Sequence, residues 1–103
     1  MLENKADIKA KDKNGWTALH FASENGHQET VKLLLENKAD IEAKDKDGKT
    51  ALHLASKNGH QETVKLLLES KADIEATDKY KRTALHVASK NDRWETVKLL
   101  LEN

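Results

Sequence analysis

A seven-residue phrase, Thr17-Ala18-Leu19-His20-Phe21-Ala22-Ser23, returns as Thr50-Ala51-Leu52-His53-Leu54-Ala55-Ser56 and again as Thr83-Ala84-Leu85-His86-Val87-Ala88-Ser89, with a spacing of 33 residues each time. An internal period of roughly 20–50 residues marks a solenoid, in which one small unit stacks on its neighbours and cannot bury its apolar face alone. This outweighs composition. Charged residues make up 35% and aromatics 4%, which would suggest disorder if the apolar residues were scattered, but they recur in register. A chain of 103 residues is expected to form one domain with a modest core.

The start of the chain, residues 1–11, aligns with the segment that ends at Lys44, so it is expected to open inside a repeat, at the tail of a helix and the loop after it. The first full repeat covers 12–44, the second 45–77, and a shorter third 78–103, all in one domain spanning 1–103. Repeats 1 and 2 agree at 27 of 33 positions, and repeat 3 agrees with repeat 2 at 18 of 26. The array is therefore expected to be open at both ends, with the third repeat the least regular.

Within a unit, Asp12-Lys13-Asn14-Gly15 is a turn signal, since Asp and Asn begin tight turns and Gly supplies positive φ. Thr17 suits the N-cap of a short helix whose buried stripe is expected to be Ala18, Leu19, Phe21 and Ala22. Asn25-Gly26 ends it. A second helix is expected from about Gln28 to Glu36, with Val31, Leu34 and Leu35 at i, i+3, i+4 and Leu33 thickening the stripe. Neither helix reaches the length of about 12 residues that an isolated helix needs in water, so stacking must supply the stability.

The second unit reads Asp45…Gly48-Lys49-Thr50-Ala51-Leu52-His53…Gly59-His60…Leu66-Leu67-Leu68…Ala72-Asp73, and it resembles the ankyrin repeat over essentially the whole chain. The resemblance implies an all-α solenoid of antiparallel helix pairs joined by hairpin-like loops, with a concave face that binds other proteins. Two departures recur. Ala18, Ala51 and Ala84 stand where the family usually has proline, and Lys5, Lys38 and Lys71 where it has glycine. If those lysines keep a left-handed conformation, each costs about 1 kcal/mol relative to glycine. In repeat 3, Lys81, Asp92, Arg93 and Trp94 replace the Gly, Gly, His and Gln of the other copies.

His20, His53 and His86 recur one per repeat, about 8–10 Å apart if neighbouring helices pack normally, too far to share a zinc that needs ligands at about 2.0–2.1 Å. Each is expected to bond the threonine hydroxyl three residues before it and loop backbone, with His27 and His60 as further loop braces. There is no cysteine, no glycine-rich phosphate loop and no serine, histidine and carboxylate set apart from the repeat, so no catalytic residue, metal or cofactor is expected.

Positions that vary between copies are free to carry function. At the turn tips these are Asn14, Trp16, Asp47, Lys49, Tyr80, Lys81 and Arg82, with Lys13, Lys46 and Lys79 alongside. At the outer end of the first helices they are Glu24, Asn25, Lys57, Asn58, Lys90 and Asn91. By resemblance these line the concave face and form the candidate partner-binding set. Eight of these side chains are cationic and two acidic, about +6 on a chain whose 18 basic and 18 acidic residues cancel. Glutamates such as Glu29, Glu36, Glu42, Glu62, Glu69 and Glu75 must balance them elsewhere. A local basic stripe favours an acidic partner and speeds its encounter at low salt. Trp16 fits either a binding anchor or a cover for the first repeat's edge. Trp94 is expected to pack on the last helix surface, and Phe21 to be core.

The expected function is a protein-interaction module without catalysis. The alternative is a structural spacer or scaffold slice of a longer array, natural or designed, with no ligand of its own. Zero net charge and the lack of interleaved aromatics disfavour nucleic acid, and no apolar run suits a membrane. No small-molecule substrate is expected. The opening Met1-Leu2-Glu3-Asn4-Lys5 lacks a signal peptide's apolar core, so the chain is expected in the cytoplasm, the nucleus also being allowed, and not secreted. Weak end-to-end pairing through Leu99 to Leu101 and the edge at Ala18, Leu19 and Ala22 is a further expectation.

Overall fold

Each unit's capped turn starts a helix too short to stand alone, and the computed structural model, which describes residues 5–103, shows how the units support one another. The expected helix tail at the start of the chain falls on Met1 to Asn4, outside the described residues. The elements are α1 (Ala18–Glu24), α2 (Gln28–Glu36), α3 (Ala51–Lys57), α4 (Gln61–Glu69), α5 (Ala84–Lys90) and α6 (Trp94–Leu101), and no strand occurs among the described residues. The first helices stack as α1 on α3 on α5 and the second helices as α2 on α4 on α6. The result is an elongated body of 51 × 25 × 20 Å.

Local chemistry sets the helix starts. Thr17, Thr50 and Thr83 are extended N-caps whose hydroxyls accept the N3 amide of His20, His53 and His86, while each histidine ring accepts the threonine amide in return. This reciprocal box satisfies two donors that a helix start leaves orphaned. Asn25, Asn58 and Asn91 close the first helices. Lys38 and Lys71 do adopt left-handed φ, at 70° and 74°, where glycine is the unstrained choice.

The core runs along the stack through Leu19, Ala22, Val31, Leu52, Ala55, Val64, Leu67, Ala88 and Leu100. Burial follows the presence of a repeat on both sides, which corrects several expectations. Phe21 is 48% exposed, whereas its equivalents Leu54 and Val87 are buried at 2% and 9% because a preceding repeat covers them. Ala18 is exposed while Ala51 and Ala84 are buried, and Leu33 does not thicken a buried stripe but lies open at 60%. At the other end, Trp94 is 65% exposed rather than packed down, beside Gln61, Lys98 and Leu99.

The expected end-to-end edges change too. Leu19 and Ala22 are buried beneath repeat 2, and of the last leucines Leu100 is buried, leaving only Leu101 fully open. A Cβ at Gly48 (φ 76°) would stand 2.9 Å from the Lys79 amide nitrogen of the next turn, and one at Gly26 (φ 66°) 2.7 Å from the His60 ring. Repeat 3 carries Lys81 (φ 63°) and Asp92 (φ 56°) at those places, left-handed positions that side chains other than glycine adopt at a cost.

Candidate protein-binding groove

Three aspartates build the turn tips. Asp12 Oδ1 accepts the amides of Asn14 (2.8 Å) and Trp16 (2.9 Å), Asp45 Oδ1 those of Asp47 and Lys49, and Asp78 Oδ1 those of Tyr80 and Arg82. Successive turns are tied by Lys46 N–H donating to Asn14 O (3.1 Å) and Lys79 N–H to Asp47 O (2.9 Å). Because the same frame recurs, the residues that vary on it are held at fixed places.

What those residues do differs from turn to turn. Trp16 Nε1 donates to Asp45 Oδ2 at 2.9 Å, and its ring stacks on His20 at 5.8 Å and meets Phe21 edge-on at 4.7 Å. Trp16 is thus a brace and cover for the first edge. Arg82 Nε donates to Asp78 Oδ2 at 2.9 Å within its own turn. Burial pushes the Asp78 carboxyl up, but the Arg82 and Tyr80 bonds and the guanidinium charge outweigh it and hold the group below its ordinary value. Lys79 Nζ sits 2.7 Å from Asp47 Oδ1, and this hydrogen bond lowers Asp47 and raises Lys79 from their usual values. The exposed Tyr80 ring lies between Lys79 Nζ at 5.2 Å and the Arg82 guanidinium at 4.8 Å, both at cation–π range.

Between repeats 2 and 3 the frame leaves a groove of about 170 Å³. Four cationic side chains line it: Lys49 and Arg82 from the turns, Lys57 and Lys90 from the helix ends. His53, Leu54, Val87 and Asn91 complete the lining, and no carboxylate belongs to it. Lys49, Lys57 and Lys90 make no ion pair among the described residues. The corresponding slot between repeats 1 and 2 has Trp16, Phe21 and Glu24 where the groove has Lys49, Leu54 and Lys57. There Asn58 Nδ2 donates to Glu24 Oε1 at 2.6 Å and His60 Nε2 to Glu24 O at 2.9 Å. At the groove Arg93 Nε donates to Lys57 O at 3.1 Å in place of the His60 bond, but Asn91 bonds only within its own helix, to Val87 O, and does not reach Lys57. In one slot the variable side chains Trp16 and Glu24 are engaged in contacts within the chain; the other presents cations.

Of the residues expected to bind a partner, the groove gathers Lys49, Lys57, Arg82, Lys90 and Asn91. Asp47, Lys79 and Tyr80 form the adjoining tip cluster. Trp16, Glu24 and Asn58 are engaged in bracing. Lys13, Asn14, Asn25 and Lys46 are exposed outside the groove, Asn25 bonding back to Phe21 O. The charge count needs correction, because Asp12, Asp45 and Asp78 share the same turns: eight cations face five acids, and positive charge concentrates at the groove rather than along the stripe. His53, Leu54 and Val87 were legible only as bracing or core positions, although Leu54 and Val87 vary between copies, which was the available signal.

His20 and His53 are committed to the fold. His20 Nδ1 accepts from Thr17 N–H at 3.0 Å and Nε2 donates to Lys49 O at 3.0 Å; His53 repeats this with Thr50 (3.1 Å) and Arg82 O (2.8 Å). In this arrangement Nδ1 accepts and Nε2 carries the donated proton, and burial lowers the His53 pKa from its ordinary value against the bond to Arg82 O, which raises it. In His20 and His53 both ring nitrogens are engaged by these bonds.

A family model described as ankyrin repeats (3 copies) matches residues 1–78 and again residues 39–103. No curated protein matches the chain. With three stacked units of capped helix pairs on a 33-residue period, and a family match running from end to end, this chain belongs to the ankyrin repeat family.

Proposed function

We propose that the groove between repeats 2 and 3 binds another protein through an acidic segment of that protein. Ankyrin repeats are generally protein-interaction modules and generally non-catalytic, and the family sets that broad class. The observation that carries the finer reading is the convergence of Lys49, Lys57, Arg82 and Lys90 on one groove without a lining carboxylate. Since the chain is neutral overall, attraction acts at close range, within a screening length of about 8–10 Å at ordinary salt. His53 and Leu54 are buried and fixed, so the floor is preformed and binding needs little rearrangement. Tyr80, exposed beside the groove, offers an aromatic contact at its rim.

The spacer reading draws support from the slot between repeats 1 and 2, which Trp16 and Glu24 close with contacts inside the chain. Affinity capture from a cell extract separates the two. The wild type is compared with a Lys49→Ala/Lys57→Ala/Lys90→Ala variant of equal helicity, at about 0.05 M and 0.5 M salt. A protein retained by the wild type at low salt and lost by the variant supports groove binding. Equal retention by both places binding outside the groove and overturns this reading, and retention by neither favours the spacer.

A further inference from the structure

The groove holds more positive charge than a single carboxylate can match. Arg82 is partly compensated by Asp78 Oδ2 at 2.9 Å and Lys49 feels the charge of nearby Asp47, but Lys49, Lys57 and Lys90 form no direct ion pair among the described residues. The space they line, about 170 Å³, admits a compact group rather than an extended surface. A carboxylate brings one negative charge and two acceptor oxygens; a phosphate monoester brings between about 1.5 and 2 charges and three acceptor oxygens. Arg82 keeps its terminal guanidinium nitrogens available because Nε carries the bond to Asp78. Guanidinium and ammonium groups around one anion are the arrangement that phosphorylated side chains select, since charge-assisted bonds are roughly twice as strong as neutral ones. The equivalent slot between repeats 1 and 2 replaces two of these cations by Trp16 and Glu24, so this charge is specific to one junction.

Resting on the reading of this groove as an acidic-partner site, we propose that it recognises a phosphorylated side chain on the partner protein. Lys57 and Lys90 contact the phosphate from the helix ends, and Lys49 and Arg82 from the turns. The residue's own backbone lies across the rim near Tyr80.

The test is an NMR titration of the full chain with two short glycine-flanked peptides, one centred on phosphoserine and one on glutamate. The phosphopeptide is expected to bind about tenfold more tightly and to shift the resonances of His53, Lys57, Arg82 and Lys90, not those of Lys13 or Glu24. Its affinity is expected to rise from pH 5 to pH 7 as the second phosphate proton leaves, near pH 6, while that of the glutamate peptide does not. The charged side chains of the lining are Lys49, Lys57, Arg82 and Lys90, and burial lowers the pKa of the lining His53 from its ordinary value. Lys57→Ala and Lys90→Ala, both at exposed positions, are each expected to weaken the phosphopeptide several-fold without loss of helicity. Equal affinity for the two peptides overturns the phosphate inference and leaves the acidic-partner reading standing. Binding of neither overturns both, and binding that shifts resonances elsewhere overturns the groove assignment.

Discussion

Replacing Gly48 by lysine transplants the residue of the third repeat into the second, and the structure predicts that the same side chain is far more costly there. At Lys81 the cost is mainly conformational: φ is 63°, a left-handed geometry that costs an L-residue about 1–2 kcal/mol. At Gly48 the same cost applies, and the new Cβ would also lie 2.9 Å from Lys79 N and 3.2 Å from Asp78 C and Cα. Those atoms are backbone, and Lys79 N–H is bonded to Asp47 O at 2.9 Å, so they cannot step aside without breaking the tie between turns. Overpacking of this kind costs about 1–3 kcal/mol. Lysine also restricts the unfolded chain relative to glycine, which returns about 0.4–1 kcal/mol. Gly48→Lys should therefore cost about 2–4 kcal/mol and Lys81→Gly should gain about 0.5–1 kcal/mol. In a domain of this size 1 kcal/mol moves the melting midpoint by about 4–8 °C, so the first variant should melt roughly 10 °C or more below wild type and the second a few degrees above. Denaturant unfolding of both variants checks the ratio. Equal and opposite changes would refute the argument, because they would mean that the next turn imposes no constraint.

Thr50→Ala removes a cap and a hydroxyl contact to His53 in a fully buried box, and is expected to cost about 2 kcal/mol, against about 1 kcal/mol for Thr83→Ala, whose partner His86 is exposed. Urea midpoints of the two variants decide it. Burial lowers the His53 pKa from its ordinary 6.5, so the unfolded chain takes up that proton first; stability from this residue is present above pH 6.5 and is lost as pH falls below it. An NMR titration in which His53 protonates at or above 6.5 would contradict this. Trp16→Lys with Glu24→Lys gives repeat 1 the cations of repeat 2, and is expected to open a second site, raising the stoichiometry for an oligoglutamate peptide from one to two by calorimetry.

Much of this was legible because three copies report on one frame. The period placed α2 at Gln28–Glu36 and the caps at Thr17, Thr50 and Thr83, since capping chemistry and apolar spacing act within one unit. Burial was less legible. Phe21 and Leu54 hold the same register, yet one is open and one enclosed, because enclosure comes from the neighbouring repeat rather than from the residue's own unit. The candidate site was visible as a set of variable positions but not as a groove. Which cations converge depends on pairings across about 33 residues, such as Trp16 with Asp45 and Asn58 with Glu24, that no spacing within one repeat announces. Lys81 and Asp92 likewise read as lost glycines, and only the structure shows how closely the next turn approaches the equivalent Gly48.

The most direct test of the central claim is a calorimetric titration of an oligoglutamate peptide into the wild type and into a Lys57→Glu/Lys90→Glu variant at low salt. Both substituted positions are exposed, so the fold is expected to survive. The account predicts one site in the wild type and none in the variant, with Lys13→Glu, outside the groove, binding as the wild type does. Binding that survives reversal of Lys57 and Lys90, or a wild type that takes no acidic peptide, would contradict it.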